Sequence, residues 1–319
     1  MIVTPENMTF EGKRFCAILY GSPGVGKTTL AMSAPDPFLI DTDKGADRLS
    51  LPHVFGKPVS VCKTYEEILK DMESPEFKAA QTLIIDTGGS FITYLQDWAM
   101  RINPALNKQR NGGISQKGYG AVKNEAISFT NKVKTVLNKN LIFVFHSTEQ
   151  ADKDGNPTQR LMCEGAFKNF IWTIADFGGF VHMIGDERKI GFSPTQEYYA
   201  KNTHGISGVL SIPEIGANGK NDFMSRLFDQ ARANIAAEVA GFAPVKAQFD
   251  LVMETVHQIL DTVKDAETAN RALQDIPNLA HVLTSKKESS AMLNERAKSL
   301  GLVYSKSAGG FVPREEKEA

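Results

Sequence analysis

The chain has 319 residues, 42% of them hydrophobic, which is enough for a sizeable core and long enough for two domains. Its formal net charge of −1 excludes a global field that would draw the molecule onto nucleic acid or anionic lipid, so any basic surface must be local. The three cysteines (Cys16, Cys62, Cys163) are widely spaced with no CxxC pair, which argues against a disulfide framework or a zinc site and fits a reducing compartment.

Residues 1–15 show no apolar run behind a basic start, so no signal peptide is expected. No stretch reaches the ~18 apolar residues of a membrane helix, so no membrane partner is expected. Residues 14–20 (RFCAILY) form an apolar run of strand length, and the glycine-rich turn GSPGVGKT follows with a helix from Lys27. Residues 37–43 (PFLIDTD), 82–87 (TLIIDT) and 140–146 (NLIFVFH) are three more such runs. They are continuous rather than alternating, the pattern of parallel strands covered on both faces. Helices are expected at 66–72 and 119–137, the latter from Val122, Ala126, Phe129, Val133 and Val136 at helical spacing. Alternating strands and helices predict an α/β core with a mostly parallel sheet flanked by helices. From about residue 177 the strands shorten (FGGFVHMIG, KIGFSP, QEYYAKNT), residues 216–222 read as a loop, and helices follow at 223–239 and 245–263 and on to about 300. GLVYSKSAGGFVP reads as a small hairpin, since Gly309-Gly310 permits a tight turn. A boundary near 241–244 divides a core domain, 1–240, from a small helical C-terminal domain, 241–319.

Gly21-Ser22-Pro23-Gly24-Val25-Gly26-Lys27-Thr28 matches GxxxxGK[ST] in full, between a strand and a helix, and Thr29 continues it. Glycines let backbone N–H groups converge on phosphates, and the helix start adds partial positive charge. Lys27 is placed to pair with the β- and γ-phosphates and the Thr28 hydroxyl to ligate Mg²⁺. Asp86 ends an apolar strand, the position that holds magnesium's hydration shell; it also reads as a cap for the helix after Thr87. ATP is favoured over GTP because no [NT]KxD element is present. Thr87 follows Asp86 where many ATPases carry a glutamate, so a general base must come from elsewhere. Asp41 and Asp43 end a neighbouring strand, where side chains face the crevice of an open sheet. Asp43 is the candidate base, against the plainer reading of a turn aspartate. His146 also ends a strand at the crevice; it reads equally as a γ-phosphate sensor and as a structural histidine.

These parts, in this order over about residues 12–215, resemble the RecA-like recombination ATPases, and among them the short phage-encoded RecA-like ATP-binding proteins implicated in single-strand annealing. FLIDTDKGAD resembles the FIDAEHALD-type segment, with Asp43 where that family polarises water with a glutamate. LIFVFHSTEQ resembles the sensor strand, with His146 at the sensor. EYYAKNTHGI is similar to a VVKNK segment whose lysines reach the neighbouring subunit's γ-phosphate; Lys201 matches the first and Thr203 stands at the second. The resemblance implies a homo-oligomer, ring or filament, with ATP at the subunit interface. It also implies single-stranded DNA as partner, room for a single-strand-binding protein, and action in the cytoplasm of a phage-infected bacterium. Two loops are implied to face DNA. The first is 107–120 (Lys108, Arg110, Lys117, Tyr119, with Lys123 beyond), and the second is 149–165 (Lys153, Arg160). The first has independent support: residues 101–140 hold eight Lys or Arg and one acid, Glu125, a net +7. Cations, glycines and an aromatic suit a phosphate-tracking, base-stacking contact, although a charge run also reads as a solvated helix face.

Overall fold

The computed structural model describes residues 12–151, 154–165, 167–215 and 220–314. The chain divides into two compact units, one built on Phe10–Ile235 and the other on Ala236–Ala319.

The first unit runs β1 (Cys16–Gly21), α1 (Lys27–Ala31), β2 (Pro37–Asp41), α2 (Leu51–Val54), β3 (Val59–Ser60), α3 (Tyr65–Asp71), α4 (Pro75–Ala79), β4 (Thr82–Asp86), α5 (Gly88–Ile102), α6 (Pro104–Asn107), α7 (Gln116–Asn131), β5 (Asn140–Ala151), β6 (Pro157–Leu161), α8 (Phe167–Ile174), β7 (Phe177–Ile184), β8 (Glu187–Gly191) and β9 (Val209–Ser211). The sheet order is β3-β2-β4-β5-β1-β7-β8-β9, with β6 added to the outer part of β5. The run from β3 to β7 is parallel; β8, β9 and β6 join antiparallel. The expected architecture, a mostly parallel sheet flanked by helices, is therefore the observed one.

The continuous apolar runs explain the layering. Side chains alternate across a strand, so Cys16, Ile18 and Tyr20 of β1 enter one core while Ala17 and Leu19 enter the other. β5 divides likewise, with Leu141, Phe143 and Phe145 on the first face and Ile142 and Val144 on the second. The first core is closed by Tyr65 and Ile68 of α3, Phe91 and Leu95 of α5, Val122 and Phe129 of α7, and Ile171 of α8. The second is closed by Leu30 and Ala31 of α1 and by Met224, Leu227, Phe228 and Ala231 at the start of α9 (Phe223–Asp261).

Several local readings change. α7 starts at Gln116 because Ser115 caps it, its hydroxyl accepting the Gly118 N–H at 3.1 Å. Strand β5 does not stop at His146 but continues to Ala151 and pairs with β6, from Ser147 opposite Leu161 to Ala151 opposite Pro157. The QEYYAKNT segment forms only isolated bridges, at Tyr198 and Lys201. In place of two helices split near 241–244, α9 runs through Pro244, with an alanine-rich stretch (ARANIAAEVAGFA) before it and helix-favouring residues such as Lys246, Ala247, Gln248 and Leu251 after it. Most of the loop expected at 216–222 lies outside the described residues.

In the second unit, α10 (Ala266–Asp275), α11 (Ser285–Ser299) and the hairpin β10 (Leu302–Ser305) with β11 (Gly310–Pro313) enclose a small core around Val252, Val256, Leu260, Leu293 and Phe311. Asp265 caps α10 through a reciprocal capping box with Thr268. No helix among the described residues is long and apolar enough to cross a membrane.

Candidate active site

The site lies at the C-terminal ends of the parallel strands. β1 is buried along its length and ends at Gly21, where any side chain would collide with the Val181 carbonyl of β7. Gly24 and Gly26 take φ of +77° and +86°, the left-handed region that glycine enters without strain. α1 has only five residues and Gly26 caps it without a side chain. An anion here would therefore be held by loop amides and Lys27 more than by a long helix dipole. Pro23, Gly24, Gly26, Lys27, Thr28 and Thr29 line a cleft of about 520 Å³, within the range of small-ligand sites. Val25 instead packs into the core, and the Ser22 carbonyl accepts the Lys27 ammonium at 2.8 Å.

Lys27 is 5% exposed; burial pushes its pKa down while the Asp86 and Asp43 carboxylates push it back up. β2 and β4 pair so that Asp41 and Asp86 stand side by side. Asp86 accepts the Thr28 hydroxyl at 2.5 Å. Burial pushes its carboxyl pKa up, and the Thr28 hydrogen bond opposes this. No group of three or more His, Cys, Asp or Glu among the described residues could hold a metal alone. One hydroxyl and one carboxylate beside a phosphate loop are the hard-oxygen pair that suits Mg²⁺, which takes its other ligands from water and phosphate. Thr28 and Asp86 would hold it, and it would supply charge neutralisation on the phosphates.

The two aspartates at the end of β2 and just beyond it do different work. Asp41 is buried and accepts the backbone N–H groups of Gly45 at 3.0 Å and Ala46 at 2.8 Å, which fixes the turn. Asp43 faces the cleft. Its Oδ1 accepts the hydroxyls of Thr87, at 3.1 Å, and Ser90, and its Oδ2 lies 3.6 Å from His146 Nε2. The His146 contact, with the Ser90 and Thr87 hydroxyls, holds the Asp43 carboxyl below the usual carboxylate range. It is thus an ionised acceptor at neutral pH, aimed into the same cleft as Lys27. His146 sits beside Gly21 in the pairing of β5 with β1, and its Nδ1 is buried with no hydrogen-bond partner among the described residues. Thr87 also caps α5, accepting the Ser90 N–H.

Lys201 does not line this cleft. Its ammonium donates to the Trp172 and Thr173 carbonyls at 2.8 and 3.3 Å, at the C-terminal end of α8, where free carbonyls attract a cation. The basic stretch 101–140 divides in two. Arg101 pairs with Glu66, Lys134 with Asp176, and Lys139 is buried against the Lys78 and Ala80 carbonyls. Lys108, Arg110, Lys117 and Lys123 remain less covered, at the turn before α7 and on α7 itself. That turn is ordered by Gln109 N–H to the Gly113 carbonyl and Ser115 N–H to the Asn107 carbonyl, 2.7 and 2.8 Å. Tyr119 is partly exposed and lies against Gly165, so the segment after β6 meets the start of α7. Arg160, on β6, stacks over the Tyr199 ring at 5.0 Å. Lys153 lies outside the described residues.

A second cleft of about 490 Å³ shares Asp43, Thr87 and His146 with the first and runs between α5 and the β5–β6 pair to Glu164. Sequence reasoning missed two groups at the site. Ser90 was hidden because its role follows from α5 folding back over Asp43. Arg188, from β8, lines the first cleft; MIGDERKIG carries a visible turn signal, but only the sheet order brings that strand near the phosphate loop.

No curated protein matches the chain. Among solved structures, it is similar to the flagellar accessory protein FlaH from Methanocaldococcus jannaschii, at 13% identity over 63% of this chain and 90% of that one, with a TM-score of 0.31. It is also similar to a second solved structure, an ATPase domain, at 10% identity over 62% of this chain and 80% of that one, with a TM-score of 0.34. Residues 13–204, well over half of the chain and all of the cleft except the Glu214–Ile215 side, match the model of the AAA domain, and the protein belongs to that family of nucleotide-binding P-loop ATPases.

Proposed function

We propose that the protein is a Mg²⁺-dependent, RecA-like ATPase that binds single-stranded DNA under nucleotide control and acts in phage-type recombination or single-strand annealing. The observation that carries the reading is the continuity of the site. Asp43 and His146 line both the nucleotide cleft and the second cleft, and the second cleft ends at the segment that meets Tyr119 of α7, the helix that carries Lys117 and Lys123. Asp43 accepts a proton from the attacking water, and His146 senses the γ-phosphate through its contact with Asp43. Loss of that phosphate changes the β5–β6 pair, and with it the affinity for a strand lying along Lys108, Arg110 and Lys117. The protein works as a homo-oligomer in the host cytoplasm, with a neighbour's Lys201 completing the site.

ATP turnover measured without DNA, with single strands and with duplex tests this. Stimulation by single strands, abolished in Lys27→Ala, is expected; equal turnover in all three conditions removes the DNA reading. A second reading has its own support: Lys201 is held by its own chain's α8, which favours a nucleotide-gated DNA binder with little hydrolysis. Strand binding that depends on ATP but proceeds without turnover would select it. Unwinding of a forked duplex would instead mark a replication motor or helicase loader.

A further inference from the structure

Arg188 is a cationic group at the cleft whose chemistry the proposed reaction leaves unused. It comes from β8, on the far side of β1 from Asp41, Asp86 and His146: the order β2-β4-β5-β1-β7-β8 puts all three acidic or sensing positions on one side of the phosphate loop and Arg188 on the other. Its guanidinium lies against Gly26, close enough that a Cβ there would stand 3.0 Å from both Cζ and Nε. Its Nε is buried and makes no hydrogen bond among the described residues. A buried guanidinium donor without an acceptor is costly, because desolvation is not offset. In the cleft it faces, the natural acceptor is an oxyanion, and a planar fork of N–H donors suits phosphate better than a point charge does. Gly26 serves two purposes here: its positive φ turns the loop, and its missing side chain leaves room for the guanidinium.

We infer that Arg188 is a nucleotide-positioning residue that binds, within the same chain, the non-transferred phosphates of the nucleotide. The γ-phosphate end of the site is defined by Asp86, Asp43 and His146. A phosphate chain laid across the end of β1 therefore presents its α- and β-phosphates towards β7 and β8. Arg188 also lines the adjoining space with Thr29 and Leu30, past the Lys27 end of the loop, and Asp43 and His146 do not. These phosphates are common to ATP and ADP, so Arg188 contributes equally to both and holds the product as firmly as the substrate. The inference rests on the cleft being a nucleotide site.

The test uses the full chain. Dissociation constants for ATP and ADP are measured by displacement of a fluorescent nucleotide for wild type, Lys27→Ala, Arg188→Ala and Arg188→Lys, with the KM and kcat of turnover. Arg188→Ala is expected to weaken ATP and ADP by the same factor, about ten- to a hundredfold for a charged hydrogen bond. KM should rise by that factor with little change in kcat, and Arg188→Lys should recover part of the loss. Unchanged affinities for both nucleotides overturn the inference. So does a loss for ATP alone, which would put the guanidinium at the γ-phosphate. Should Arg188→Ala not fold, the equal loss must appear in Arg188→Lys. If the wild type binds neither nucleotide, it is the proposed function that fails.

Discussion

Replacing Asp43 by asparagine keeps the shape of the side chain and removes its charge. The structure sets the consequences. An asparagine carbonyl still accepts the Thr87 and Ser90 hydroxyls that hold Oδ1, so the turn after β2 survives, and Asp41 continues to fix it through Gly45 and Ala46. What disappears is the proton acceptor facing the cleft and the attraction to His146, 3.6 Å away. A positioned general base is worth about 10²–10⁴ in rate, or roughly 2.7–5.5 kcal/mol of activation free energy. Affinity for ATP should hold or rise, because the substitution removes a negative charge that would repel a γ-phosphate in the cleft. The assay is phosphate release under single turnover, with ATP binding measured separately on the same preparation. A fall in turnover of less than about tenfold would refute the assignment of Asp43 as the base, since a passive turn aspartate predicts nothing larger.

The lowered Asp43 pKa gives a stability prediction with a definite sign. A carboxyl depressed in the folded state contributes stability above its unfolded pKa and loses it as pH falls through the folded value. The gap between the urea midpoints of wild type and Asp43→Asn should therefore be constant from about pH 8 to 5 and close only below about pH 4. Changing Lys108, Arg110 and Lys117 together to alanine should weaken single-strand binding and flatten the slope of log affinity against log salt by about 2, three contacts at about 0.7 each; an unchanged slope would place the strand elsewhere. Lys201→Ala removes bonds to the α8 carbonyls and so should lower the melting temperature by a few degrees; if Lys201 also acts on a neighbour, adding inactive Lys27→Ala chains should restore turnover to Lys201→Ala chains. Phe143, buried between Phe91, Phe145 and Phe167, should cost about 3–5 kcal/mol on truncation to alanine, read as a shift in the denaturant midpoint.

The sequence by itself determined what depends on neighbours along the chain. The phosphate loop was legible because GxxxxGK[ST] specifies left-handed glycines and a buried lysine within eight residues. The four core strands were legible because a strand buried on both faces must be apolar throughout. Asp43 was singled out as the candidate base by elimination, once Thr87 stood where a glutamate was sought, and the structure places it at the cleft. Only the tertiary structure decided what depends on partners distant in sequence. The alternation of polar and apolar residues in STEQA and PTQRL was weak until β5 and β6 paired, so His146 looked like a strand end and is a mid-strand residue. A run of eight cations looked uniform until packing took Arg101, Lys134 and Lys139 into local pairs and left the others nearer solvent. Arg188 carried no signal of its own, because its place at the phosphate loop follows from β8 lying two strands from β1, and strand order is set by packing across the whole sheet rather than by any local run of residues.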